Sequence, residues 1–233
     1  MRKGAHPMLG TVLITGGASG LGRATVEAVA KAGGRPLVID LRACAGDVEH
    51  VCADLADRDQ AERAVRELAE RAGGLDGVVT CAGIDVCGRL EDVPADRWER
   101  VIRVNLIGTA AVVRAALPYL RRSRGTVVTV ASTLGLRAVS DATAYCASKF
   151  GVVGFTRALA AELGDEVGVT LLIPGGMRTA FFDGRDEKYR PGPGVTLSRP
   201  EDVADAIVYA LGRPPSCQVR ELVVCPGTET SWP

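Results

Sequence analysis

Apolar residues in this chain fall into short unbroken runs separated by longer amphipathic stretches. Thr11-Val12-Leu13-Ile14-Thr15 is such a run, rich in β-branched side chains, and reads as a strand buried on both faces. Similar runs lie at 36–40, 48–53, 76–80, 126–131, 167–173 and 221–225. Between them, 24–32, 56–72, 94–120, 142–163 and 200–211 carry apolar residues at helical spacing, as in Trp98, Val101, Ile102, Leu106, Ala110, Val113 and Leu117. Strands alternating with helices predict an α/β fold. The expected form is a doubly wound, Rossmann-type parallel sheet of about seven strands with helices on both faces.

The whole of 1–233 reads as one domain, with no linker or repeat. Residues 1–9 look prone to disorder, 180–198 read as a lid over a substrate, and 226–233 as a tail. Ser198-Arg199-Pro200-Glu201 predicts a capping box with proline just inside a helix.

With 47% hydrophobic residues but only 4% aromatic, the core must be aliphatic. Twenty-eight basic residues balance 28 acidic ones, so nothing invites a nucleic acid. The 7 cysteines are scattered, with no Cys-x-x-Cys, which points to reduced thiols and a cytoplasmic location rather than disulfides or zinc. With 2 histidines, no metal is expected. The first seven residues, Met1 to Pro7, lack the apolar core of a signal peptide, and no apolar run approaches the roughly 20 residues that span a bilayer.

Candidate chemistry begins with Gly16-Gly17-Ala18-Ser19-Gly20-Leu21-Gly22, set between a strand and a helix. Glycines let a backbone approach a pyrophosphate, and the helix N-terminus offers free N–H groups. Asp40 ends the second strand, where a carboxylate accepts hydrogen bonds from a ribose diol and repels a 2′-phosphate, favouring NAD over NADP; Arg42 softens that preference. Ala82-Gly83 follows the fourth strand at the expected topological switch, with Cys81 read as a packed small residue. Asn105 lies beside an apolar stripe and needs partners, unless it faces solvent. Pro174-Gly175 opens a rigid turn at the end of the sixth strand.

Tyr145 and Lys149 are four residues apart, hence on one helical face. A nearby ammonium lowers a phenol's pKa, and Ser132, at the end of the fifth strand, could aim its hydroxyl at the same point. Hydroxyl, phenol and ammonium together make a proton-transfer site for a carbonyl or an alcohol.

Taken in order from Thr11 to about Cys225, these motifs resemble the short-chain dehydrogenase/reductase family. The resemblance implies Tyr145 as general acid/base and Lys149 lowering its pKa while holding the nicotinamide ribose. It implies Ser132 on the substrate oxygen and Asn105 holding a relay water. Cofactor contacts would come from Gly16, Ser19, Gly20, Leu21, Gly22, Asp40, Asp54, Leu55, Cys81, Ala82, Gly83, Tyr145, Lys149, Pro174, Gly175, Met177 and Thr179, with Asp54 and Leu55 at the adenine and Thr179 at the carboxamide. The implied reaction passes a hydride between nicotinamide and a carbonyl carbon, interconverting a secondary alcohol and a ketone. Relatives commonly form dimers and tetramers through helices matching 94–120 and 142–163, so a homodimer or homotetramer is expected.

Two departures stand out. The family's usual Asn-Asn-Ala-Gly is Thr80-Cys81-Ala82-Gly83 here, and Ala131 replaces a common serine. A dinucleotide-binding protein without turnover, and an epimerase or dehydratase with retained NAD, stay open beside the dehydrogenase reading. Phe181, Phe182 and Tyr189 offer either an apolar substrate face or anchors for the lid.

Overall fold

β1 (Thr11–Thr15) runs near the middle of a sheet of 7 strands in the order β3-β2-β1-β4-β5-β6-β7. The others are β2 (Arg35–Asp40), β3 (Glu49–Cys52), β4 (Gly77–Thr80), β5 (Thr126–Val130), β6 (Gly168–Pro174) and β7 (Glu221–Val224), and every pairing is parallel. The computed structural model describes residues 9–232. Most of the segment expected to be disorder-prone lies outside the described residues, as does the last residue of the tail.

Alternating side chains on each strand feed two cores. Leu13, Leu37, Val78 and Val127 point to α2 (Arg58–Ala72), α4 (Thr109–Ser123) and α5 (Thr143–Leu163), meeting Val65, Leu68, Leu120 and Leu159. Val12, Ile14, Val79 and Val128 point the other way, to α1 (Gly20–Lys31) and α6 (Pro200–Leu211), meeting Val29, Val203 and Ile207. Burying each such side chain contributes roughly 1.5–3 kcal/mol. Strands β2 and β3 lie to one side of β1 and the rest to the other, so a crevice opens where the C-terminal ends of β1 and β4 diverge.

The helix expected over 94–120 is three pieces of one rod: α3 (Ala95–Ile102), a π-helical turn (Arg103–Gly108) and α4. Inside the wide turn the Thr109 hydroxyl donates to the Asn105 carbonyl (2.9 Å), and Gly108 lies against Leu55, where a Cβ would come 2.7 Å from the Leu55 oxygen. Asn105 is swung inward and 1% exposed, which settles it away from solvent. Charged residues such as Arg100, Arg103 and Arg114 interrupt the rod, which holds no unbroken apolar run of bilayer length. Ala95–Ser123 is long and apolar enough to cross a membrane by length and composition, but most of its apolar window is buried against the sheet.

Two boundaries differ for local reasons. Helix α1 begins at Gly20, earlier than the periodicity shows, because glycines carry no apolar signal. The capping box at Ser198 does not form. Ser198 pairs with Met177 in an isolated bridge, donating to the Gly176 oxygen and accepting from Arg178 N–H, each at 2.9 Å. Arg199 is the N-cap instead, without a side-chain bond, and Pro200 opens α6 as expected.

Candidate active site

The glycine loop is folded too tightly for side chains. Gly16 has φ +75°, and a Cβ there would come 2.9 Å from the Ala82 backbone. A Cβ on Gly22 would lie 2.1 Å from the Gly16 carbonyl oxygen. Ser19 caps α1 without using its side chain, and the first turn carries no acidic residue. Its N–H groups are therefore free for an anion, and the cradle fits a dinucleotide pyrophosphate. Across the crevice, Gly20 faces Thr179, 3.5 Å from the Cβ it would carry. Leu21 is buried behind the loop.

Asp40 sits at the loop's edge. Its carboxylate accepts from Ala18 N–H and Arg42 N–H, both at 3.0 Å, while Arg42 Nη2 donates to Ser19 Oγ at 3.1 Å. Farther along, Asp54 is fixed by Ala56 N–H (2.9 Å) and Arg100 (3.0 Å), beside the buried Leu55. Cys81 packs against the Thr25 hydroxyl at 3.8 Å, and burial pushes its thiol up to about 12, so it stays protonated and inert.

Ser132 ends the β5 exit, and its Oγ accepts Leu134 N–H at 3.1 Å, which leaves the hydroxyl proton to donate. It faces the phenol of Tyr145, on the first turn of α5. Burial pushes that phenol up to about 12, the Ser132 hydroxyl pulls it down, Asp85 raises it and Arg185 lowers it. Lys149, one turn on, is 4% exposed. Its ammonium donates to the Val130 carbonyl at 2.9 Å and lies 5.6 Å from the Tyr145 ring centroid. Burial draws it down to about 8.

Contrary to the expectation from the four-residue spacing, the phenol's pKa lies above its ordinary value. Tyr145 and Lys149 do share a face, but burial outweighs any help the ammonium gives the phenol. Lys149 keeps two further donors. The bare backbone of Gly83 leaves room beside it, since a Cβ there would sit 3.6 Å from both Lys149 Nζ and Asn105 Oδ1.

The Asn105 side chain is taken up by protein. Oδ1 accepts Ile84 N–H (2.9 Å), and Nδ2 donates to the Ile84 oxygen (2.9 Å) and Ser148 Oγ (3.0 Å). It thus ties the π turn to the β4 exit and to the residue preceding Lys149.

Phe181 stands out in the sequence with two roles open, whereas the Asp85–Arg185 pair and the tail contacts have no signal there. Phe181, in the short turn Ala180–Phe182, lies against Tyr145 with ring centroids 5.6 Å apart. Arg185 of the lid pairs with Asp85 at 2.8 Å. The tail folds back on the turn after Pro174: a Cβ at Gly175 would meet Glu229 Oε2 at 2.5 Å, and Gly176 N–H donates to that carboxylate at 3.0 Å. Ser231 Oγ bonds Glu229 (2.6 Å) and Thr133 Oγ1 (2.7 Å), so the tail links this turn to the neighbour of Ser132. Met177 and Thr179 complete the turn; Met177 packs into the α1–α6 core, and Thr179 Oγ1 accepts Phe181 N–H at 3.3 Å.

A crevice at the switch point of a parallel sheet, floored by glycines and flanked by hydroxyl, phenol and ammonium, defines a nucleotide-dependent redox protein. Residues 10–190 match the short chain dehydrogenase family model, and the chain belongs to the short-chain dehydrogenase/reductase family of oxidoreductases, which bind a nicotinamide cofactor. It is 32% identical over 216 residues to the 3-oxoacyl-acyl-carrier-protein reductase of Thermotoga maritima, covering 84% of this chain and 88% of that one. Its fold matches the ligand-free aldohexose dehydrogenase of Thermoplasma acidophilum (TM-score 0.84, 24% identity, 93% and 92% of the chains). It also matches the alcohol dehydrogenase of Thermococcus sibiricus complexed with 5-hydroxy-NADP (TM-score 0.80, 24% identity, 92% and 95%).

Proposed function

We propose that this protein interconverts a secondary alcohol and a ketone with NAD(H), using Tyr145 as the general acid/base. The observation that carries the reading is the meeting of Ser132, at the β5 exit, with Tyr145 and Lys149 on one face of α5 beside the glycine-lined crevice. The nicotinamide supplies or takes the hydride when bound. Tyr145 gives its phenolic proton to the ketone oxygen in reduction and takes it back in oxidation. Ser132 holds that oxygen with the hydroxyl proton its bond from Leu134 leaves free. Lys149 offers its remaining donors to the ribose, and Asn105 is a positioning residue that sets the start of α5 through Ser148. Asp40 takes the ribose diol and disfavours a 2′-phosphate, while Arg42 beside Ser19 limits how strict that preference is.

Exposed Ile107 on the rod and Phe150 on α5 support assembly into a homodimer or homotetramer through those helices. The 7 free cysteines support a cytoplasmic location.

The test is turnover by the purified protein with NADH against a panel of ketones, and with NAD against the matching alcohols. Consumption of NADH that Tyr145→Phe abolishes is expected. NADH binding without turnover on any member of a broad panel would replace the enzyme with a dinucleotide-binding protein.

A further inference from the structure

One ion pair among the described residues is unlike the rest. Asp85 and Arg185 are 7% and 16% exposed in their side chains and 2.8 Å apart. Every other pair leaves at least one partner 44% exposed or more. Asp85 belongs to the body, just after β4, where its carboxylate also accepts Val86 N–H at 2.6 Å and the Cys87 thiol at 3.3 Å. Arg185 belongs to the lid, and its guanidinium lies 4.7 Å from the Phe181 ring centroid and 4.8 Å from that of Phe182. Phe181 in turn lies on Tyr145. A single connected path therefore runs from a fixed carboxylate on the body, through the lid's cation and aromatic rings, to the phenol.

We propose that Asp85 and Arg185 form a latch that seats the lid on the reaction centre, acting as positioning residues through Phe181 on Tyr145. This rests on the catalytic reading above. The physics suits a latch better than a permanent lock. Burying two charges forfeits their hydration, so the pair's attraction is nearly offset and opening returns both groups to water. Removing one partner strands the other charge and favours the open lid. The pair is also felt at the phenol, which faces Ser132 from the β5 exit, Asp85 from the β4 exit, Arg185 from the lid, and Cys146 and Lys149 from its own helix.

The test compares Asp85→Asn, Arg185→Met, the double variant and the charge swap Asp85→Arg/Arg185→Asp. The first readout is tryptic cleavage after Lys188 in the lid, which needs no turnover and so stands apart from the catalytic reading. Each single change is expected to raise that rate at least tenfold, the double no further, and the swap to recover most of it. Unchanged cleavage in both single variants, or additive effects in the double, would overturn the latch. The second readout is kinetic: KM for the carbonyl substrate rises about tenfold while NADH affinity holds. The pH limb assigned to the phenol moves down in Asp85→Asn and up in Arg185→Met. Loosening of the lid alone would move both the same way and overturn the link to Tyr145. Should Arg185→Met fail to fold, Arg185→Lys carries the test, keeping the charge without the stacked fork, with cleavage between wild type and Asp85→Asn expected.

Discussion

Lys149 gives a hydrogen bond to the Val130 carbonyl across 2.9 Å, at a depth where its side chain is almost wholly out of water. That burial draws its pKa from an ordinary 10.5 to about 8. Below pH 8 the residue is an ammonium in both folded and unfolded chains, and folding pays its desolvation; above 10.5 it is neutral in both. Lys149→Met is therefore expected to stabilise the protein at pH 7, by on the order of a few kcal/mol. The gain should shrink as pH rises from about 8 towards 10.5. Thermal denaturation across that range checks it; a variant less stable than wild type at pH 7 would refute it.

Tyr145→Phe removes the proton donor while keeping the ring against Phe181. Turnover is expected to fall about 10²–10⁴-fold, the usual contribution of a positioned acid or base. NADH affinity, measured by fluorescence titration, should stay within about threefold, because the glycine cradle is untouched.

Asp40→Ser deletes the carboxylate that accepts Ala18 and Arg42 N–H and leaves the Arg42 guanidinium at Ser19. The ratio of kcat/KM for NADPH to that for NADH is expected to rise at least roughly tenfold. An unchanged ratio would mean that Asp40 is a loop brace alone.

Thr80 is 2% exposed, and its hydroxyl has no partner among the described residues. An unpaired buried hydroxyl costs roughly 1–3 kcal/mol. Thr80→Val should therefore raise stability by about 1 kcal/mol in urea denaturation, with cofactor affinity unchanged. Loss of stability would show that the hydroxyl has a partner in solution.

The strands were legible because a buried parallel sheet demands apolar residues on both faces, and Thr11–Thr15 or Thr126–Val130 allow little else. The loop at Gly16–Gly22 was legible because its close approaches exclude side chains. What stayed hidden has physical causes. Four-residue spacing put Tyr145 and Lys149 on one face, but it fixes only where the Cβ atoms go. The long lysine stem then chose the Val130 carbonyl. Periodicity over 94–120 averaged across the π turn and could not orient Asn105. Ser198 looked like a cap until the β6 turn drew its backbone into a bridge. Asp85 with Arg185, and the Gly176 N–H with Glu229, are polar groups far apart in sequence, brought together only by the packing of loops.

The π turn exchanges a regular backbone ladder for the inward reach of one side chain. A π turn holds one residue more than the α turn it replaces. Deleting one residue from 103–108 would give a smoother helix with a better backbone ladder. It would leave α4 in phase with α3, because the wide turn takes up the extra residue, but it would cost the swing that carries Asn105 to Ile84. The irregular turn is thus a local device, and what it adds to the rod is the reach of one amide into the site.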